Sequence, residues 1–301
     1  MDTSASLQPG PTHEAKLQKC VFGLCVKNNA VGLPKVFHNI SQISKLFSEC
    51  TVVAYYDVSK DNSLNLLDML SAHYNIRTIV LNREGTLTVP GHRPVNIARA
   101  RNGILKEVYT NPLFRDYELF AMMDSNNYSC QGDIRPDVIG RYLGDEFLEQ
   151  WDSLSFARKP YYDLWAYSAG VFQFGCWSYP RVSFMGSETT VSQYQEAMRN
   201  HINATLLSEH NAGKLVEVDS AFCGLAFYRI PVFEGCFYDC ANSYRFMDKH
   251  WLAVSSNLFR LRRRRQAVDC EHRHFHMMAK RVKGAKIMVA CDQAFGHFDS
   301  S

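Results

Sequence analysis

The 301-residue chain lacks the loop signatures of several common enzyme classes. No G-x-G-x-x-G follows its first apolar run, no G-x-x-x-x-G-K-[ST] loop is present, and no G-x-S-x-G turn occurs. These absences argue against a standard dinucleotide dehydrogenase, a P-loop enzyme and an α/β-hydrolase. The ten cysteines never pair as C-x-x-C. In a chain of this length, scattered thiols read as reduced, not as a disulfide framework. The net charge is only +3, too small to imply a nucleic-acid partner. No apolar run approaches the roughly 20 residues that span a bilayer, so no transmembrane segment is expected. The start, Met1-Asp2-Thr3-Ser4-Ala5-Ser6, has no basic stretch leading into an apolar one. No signal peptide is therefore expected. The sequons Asn39-Ile40-Ser41 and Asn203-Ala204-Thr205 read as chance matches, and a cytoplasmic setting is the expectation. Internal repeats and low-complexity core segments are also missing.

What is present is a globular composition, 46% hydrophobic and 21% charged. The length suits one large α/β domain or two small ones. Residues 1–17, rich in Ser, Thr, Pro and Gly, read as a disordered tail, and 18–301 as a single domain. Apolar, β-branched runs predict strands at Cys20–Val26, Cys50–Tyr56, Arg77–Leu81 and Tyr117–Met123. Helical spacing predicts helices over Leu33–Phe47, from a Ser63 cap through Leu66, Leu67 and Leu70, and over Ile97–Tyr109. That alternation implies a mostly parallel central sheet flanked by helices, an α/β, Rossmann-like architecture. The second half is less regular. Strands are expected at Ser153–Ala157, Leu215–Val218, Ala221–Tyr228 and Lys286–Ala290, with a helix over Val191–Leu207.

Ligands of α/β sheets bind outside the carboxyl ends of the strands. There the sequence places three polar turns: Asn28 and Asn29, Asp57 and Asp61, and Asp124 and Asn126. Asp124 ends the apolar run Phe120-Ala121-Met122-Met123 and opens the turn that continues to Tyr128. Asp and Asn also simply make turns, but the three together suit a ribose, a base and a metal-bound diphosphate. A diphosphate is neutralised by a divalent cation on carboxylates or by arginine. Arg93, Arg99 and Arg101 lie close in sequence to the third turn.

Three further clusters carry chemistry. Cys270-Glu271-His272-Arg273-His274-Phe275-His276 suits a structural zinc site, or one imidazole completing a site with Asp124, or a surface cluster. At helical spacing His272 and His276 share a face; at strand spacing all three histidines do. Arg260–Arg265 is a short basic run, readable as a solvated surface or as a contact for anionic lipid, nucleic acid or donor phosphates. Tyr161-Tyr162-Asp163-Leu164-Trp165 sets aromatic faces around one acid, suited to a sugar ring and equally to core packing. Asp219, beside Gly224, is a candidate general base for an acceptor hydroxyl.

In order and spacing these stretches resemble GT-A-type glycosyltransferases, in particular small cytosolic transferases of large DNA viruses and fungal capsule mannosyltransferase-like proteins. The likeness runs through Val26-Lys27-Asn28, Tyr56–Asp61, Arg93–Asn102, Met123–Asn126, Trp151–Phe156, Tyr161–Ala166, Val218–Tyr228 and Cys270–His272, roughly residues 20–290. It implies a nucleotide-diphosphosugar donor, a glycan or glycoprotein acceptor, and Mn²⁺ or Mg²⁺. It also implies a nucleotide-binding half over 18–130 and an acceptor and sugar half over 131–301. By that likeness Asn28, Asp57, Asp61, Arg93, Arg101 and Asn102 would serve the nucleotide. Asp124, Asn126 and His272 would hold the metal, and Asp219 or Glu271 would act in catalysis. Trp151, Asp152, Tyr162, Asp163, Trp165 and Gly224 would line the sugar and acceptor pocket. The family's usual second Asp is replaced by Asn126, whose amide oxygen ligates without charge. Weaker metal binding, arginine in place of metal, or binding without catalysis would each follow from that replacement. A nucleotidyltransferase and a non-catalytic nucleotide-sugar or carbohydrate-binding module are the alternative readings.

Overall fold

The computed structural model describes residues 18–85, 92–126, 132–177, 190–240, 243–247 and 268–296. Residues 1–17, Tyr128 and the Arg260–Arg265 run lie outside the described residues. An eight-stranded sheet in the order β3-β2-β1-β4-β7-β5-β8-β6 forms the frame. Its strands are β1 (Lys19–Val26), β2 (Glu49–Tyr56), β3 (Arg77–Leu81), β4 (Leu119–Met123), β5 (Ser153–Ala157), β6 (Leu215–Glu217), β7 (Leu225–Arg229) and β8 (Ile287–Gln293). β1 to β4, β5 and β8 run one way; β7 and β6 run against them. The sheet is thus mostly parallel, as the alternation predicts.

Successive side chains of a strand face opposite sides, and both sides here are buried. Val21, Val53, Phe120, Met122 and Tyr228 face one apolar layer; Phe22, Leu24, Val52, Ala121 and Phe227 face the other. The helices that complete the layers are α1 (Leu33–Ile43), α2 (Ser63–Tyr74), α3 (Arg93–Thr110), α4 (Pro136–Leu143), α5 (Asp145–Leu148), α6 (Val191–Thr205), α7 (Ile230–Phe233) and α8 (Glu271–Lys283). α1, α2 and α4 give Val36, Leu67 and Val138 to the second layer; α3, α6 and α8 give Ile104, Met198 and Phe275 to the first. Among the described residues no helix is long and apolar enough to cross a membrane.

Local differences from the sequence expectations have physical causes. α1 stops at Ile43 and tightens into a 3₁₀ turn over Ser44–Leu46, so it does not reach Phe47. Ser63 is not a cap but the first residue of α2; Asn62 holds the cap position, and the Asp61 carboxylate before it accepts from Ser63 N at 3.1 Å. α3 begins at Arg93, four residues before the expected Ile97, because Pro94 sits in its first turn, where a missing N–H costs nothing. Of the expected Ala221–Tyr228 run only the part from Leu225 onward pairs as a strand, which continues to Arg229. The His-rich segment is helical, which settles its periodicity. Gly103 lets α3 lie close on β2: a Cβ there would fall 2.5 Å from the Tyr55 ring.

Candidate active site at the carboxyl edge of the sheet

β1, β2 and β4 end together, and the polar turns that follow them meet. Asn28 takes the left-handed conformation, φ 53°, which Asn tolerates better than most residues. Its N–H donates to Ser59 Oγ at 2.9 Å, and its Oδ1 accepts from Lys60 N at 2.6 Å. Asp61 fastens the same two turns, accepting from Ala30 N at 2.9 Å and from Ser63 Oγ at 2.5 Å. Asp61 is therefore a stitch between turns and does not line the cavity they border. That cavity, about 470 Å³, is lined by Lys27, Asn28, Asp57, Arg93, Asn96, Arg101, Asp124 and Asn126, among others. Asp57 is buried against Arg99 at 2.7 Å. Burial raises its pKa from the ordinary carboxylate value, against the pull of Arg99.

A second cavity of about 390 Å³ shares Arg93, Ile97, Arg101, Asp124 and Asn126 with the first and extends to Tyr162, Asp163, Trp165, Glu271 and His272. Asp124 stands at the junction. Its N–H donates to Gly224 O at 2.9 Å. Gly224 has φ +92°, a backbone state that favours glycine, and so brings the antiparallel β7 connection against the end of β4. The Asp124 carboxylate accepts from Arg101 Nη2 at 3.3 Å and from Tyr162 OH at 3.0 Å.

Arg101 organises the centre. It bridges Asp124 and, through a short bond, Glu271 at the start of α8. Its guanidinium also lies over the rings of Phe222 and Tyr238, at 5.2 and 5.5 Å. Burial opposes its charge, but Glu271, Cys25 and Asp124 outweigh burial and raise its pKa. Asp163 hydrogen-bonds Ala166 N at 3.1 Å. Burial, then the nearby Asp124 and Glu271 charges, push its pKa up to about 7. His272 is 1% exposed and stacks on Phe222 at 3.9 Å. Neither of its ring nitrogens has a hydrogen-bond partner among the described residues. Burial, then Arg101 and His276, hold its pKa well below the usual imidazole value, so the ring is neutral. His276 bonds Ser220 and Tyr228, and His274 bonds Arg245. His276 and His274 are thus engaged elsewhere, and among the described residues the three histidines do not converge as one metal site.

Several expected site residues lie elsewhere. Asn102 clamps the backbone of Tyr238, giving Nδ2 to its O and accepting from its N at 2.8 Å. Trp151 is fully buried and donates Nε1 to Tyr142 O at 3.0 Å. Asp152 accepts from Lys286 N at 2.8 Å. Both precede β5, which runs parallel to β8 and in the sense of β4, so they sit at the opposite edge of the sheet from Asp124. Asp219 lines a separate cavity with Gln173 and Lys280, bonded to them at 2.5 and 2.9 Å. Asn96 and Ser125, which are not among the expected site residues, also line the first cavity. Asn96 carried a signal, a polar residue among the buried positions of an amphipathic helix.

Divalent-cation chemistry can be tested against this donor set. Among the described residues no three His, Cys, Asp or Glu side chains converge as a ready-made metal site. Asp124 and Glu271 both engage Arg101. What the set fits is a cation held on one carboxylate and on a ligand's own phosphates, the usual manner of Mg²⁺. The neutral, unpartnered His272 is in the protonation state that ligates.

No protein-family model matches the chain, and no curated protein matches its sequence. Solved structures similar to it include S. aureus TarS 1-349, at 13% identity and TM-score 0.45, covering 92% of this chain and 59% of that one. The same protein in complex with UDP-GlcNAc matches at 14% identity and TM-score 0.44, covering 92% and 57%. Glucosyl-3-phosphoglycerate synthase from Mycobacterium tuberculosis, in complex with phosphoglyceric acid, matches at 12% identity and TM-score 0.39, covering 75% and 64%. The chain spans less than two thirds of each of these structures. These are similarities in chain course alone.

Proposed function

We propose that the chain is a glycosyltransferase that moves a sugar from a nucleotide-diphosphosugar donor to a hydroxyl of a glycan or glycoprotein acceptor. The observation that carries this reading is the pair of merged cavities at the carboxyl edge of the sheet, joined at Asp124 and Arg101. The first cavity, with Asn28, Asp57 and Asn96, offers polar groups to a nucleoside. The second sets an arginine, a neutral imidazole and acidic groups where a diphosphate and a sugar would follow. The sequence resemblance supports the same assignment.

In this reading Arg101 and Arg93 hold the diphosphate and oppose the charge that develops on it as the bond to the sugar breaks. Asp124, Asn126 and His272 would hold a divalent cation, which supplies further positive charge when bound. The acceptor oxygen attacks the anomeric carbon, the bond to the donor phosphate breaks, and its electron pair leaves on the phosphate oxygen. The acceptor proton goes to a carboxylate. Glu271 engages Arg101 and Asp219 engages Lys280 in another cavity, so Asp163 is the best-placed base. A base whose pKa lies near the working pH is efficient.

The test is incubation of the full chain with a panel of nucleotide sugars and Mn²⁺. Release of a nucleoside diphosphate is expected. Pyrophosphate release from a nucleoside triphosphate would instead indicate a nucleotidyltransferase. Tight donor binding without turnover, with and without an acceptor mixture, would indicate a binding module.

A further inference from the structure

Beyond the donor cavities a third, smaller one continues the same trench. It has a volume of about 190 Å³ and shares Tyr162, Asp163 and Trp165 with the second. Its outer wall is Trp177 and the face of α6 that carries Gln195 and Arg199. Those two lie at i and i+4, so they project side by side.

The polar groups of this cavity are of one kind. Trp165 Nε1 and Gln195 Nε2 are buried N–H groups without a hydrogen-bond partner among the described residues. Arg199 is exposed and forms no ion pair or hydrogen bond among the described residues. Such donors call for acceptor oxygens. The acid of the cavity, Asp163, stands at the inner end where the trench joins the donor site. Trp177 is 64% exposed, a large apolar ring that the fold itself does not cover. An occupant matched to these walls has an apolar ring face for the tryptophans and a hydroxyl for Asp163. It also has lone-pair oxygens for the two N–H groups and a negative charge for Arg199.

We propose that this cavity is the acceptor subsite and that it takes a saccharide bearing an anionic group, a carboxylate or a phosphate. The proposal rests on the transferase reading for the word acceptor; the binding chemistry stands apart from it. A charged hydrogen bond to the guanidinium selects the anionic sugar over its neutral parent.

Direct binding to the full chain tests it, with methyl glucoside, methyl glucuronide and glucose 6-phosphate as probes and ligand-observed NMR as the readout. The expected result is binding of at least one charged probe about tenfold more tightly than the neutral one, a gap that shrinks with added salt. Comparison of the carboxylate with the phosphate probe identifies the source of the charge. Arg199→Gln should erase the preference and Trp177→Ala should weaken all probes. Arg199→Gln should leave the unfolding midpoint unchanged, since Arg199 is exposed and its loss breaks no ion pair or hydrogen bond among the described residues. Equal affinity for charged and neutral probes, no binding of either charged probe, or a preference that survives Arg199→Gln overturns the proposal. The transferase reading fails separately: charged sugars would still bind at Arg199 while no donor is consumed in the presence of any of them.

Discussion

Replacing Arg101 by Met removes the cation that two carboxylates share. Its consequence follows from how dry each partner is. The Arg101 and Glu271 side chains are 6% and 8% exposed, so their bond is a buried ion pair. Asp124 is 21% exposed and keeps Tyr162 OH, so its bond to Arg101 is the smaller loss. Breaking a buried pair by deleting one member costs about 3–5 kcal/mol, because the other charge stays buried and uncompensated. The Asp124 contact adds no more than about 1 kcal/mol. For a chain of this size that lowers the unfolding midpoint by roughly 5 to 10 °C. The diagnostic comparison is the double variant Arg101→Met with Glu271→Met. Removing both charges together is nearly neutral, so the double variant should regain most of the stability that Arg101→Met loses. A coupling of about 3 kcal/mol is the expected signature. Urea unfolding followed by tryptophan fluorescence measures it, and nucleotide binding measured alongside should be lost in both variants. An Arg101→Met chain within about 1 kcal/mol of the parent would refute the reasoning. So would a double variant less stable than either single one. Either result would mean that the guanidinium is not enclosed between two carboxylates in solution.

The remaining predictions concern protonation, metal and the opposite edge. With an Asp163 pKa of about 7, transfer needs the ionised carboxylate, so the rate should fall about tenfold per unit as pH drops below 7. The same raised pKa means folding favours protonated Asp163, so its contribution to stability shrinks as pH rises from the unfolded value toward 7. Asp163→Asn should therefore lose roughly 10²–10⁴ in rate while unfolding no more easily than the parent at pH 8. An unchanged acid limb in that variant would assign the proton to another group. Mn²⁺ alone should leave the unfolding midpoint where it is, and Mn²⁺ with a nucleoside diphosphate should raise it, because the cation needs the ligand's phosphates; an equal shift with Mn²⁺ alone contradicts this. Trp151→Phe should cost about 1–2 kcal/mol through the lost bond to Tyr142 O, with donor and acceptor KM unchanged. A raised KM would return Trp151 to the site.

The first half of the fold is legible because its signals are local. β1, β2 and β4 are continuous apolar runs, each followed by a polar turn, and parallel pairing buries both faces of such runs. The second half is less legible because β7 enters between β4 and β5 against the local direction. No residue pattern within Ala221–Tyr228 states that neighbour. The error over Trp151 and Asp152 has the same origin. Their aromatic and acidic character suits a sugar pocket, but the direction of β5 decides which edge they occupy, and that direction is set by β7 and β8 across long sequence separations.

The same topology explains why the centre of the candidate site is the part least visible in the sequence. Asp124 can be read from the end of β4 alone. Its partners come from α3, from the loop after β5 and from the β7 connection, and Arg101 in turn reaches the first turn of α8. Arg101 and Glu271 are 170 positions apart. Each looks unremarkable locally: Arg101 is one arginine among several on α3, and Glu271 is an acid at a helix start, where acids are favoured for the helix dipole. Their role arises only from burial. An arginine that lost its water would be costly without carboxylates on both sides, and a glutamate buried at a helix start would be costly without the arginine. The pair is consistent only as a pair, with Asp124 as third member and Asp163 beside them, its pKa pushed up to about 7 by burial and then by the two acids it faces. In the proposed reading, charged groups gathered in this way, beside an imidazole whose nitrogens find no partner among the described residues, would be satisfied by a donor that brings phosphate oxygens to Arg101 and a cation to His272, with an acceptor hydroxyl at Asp163.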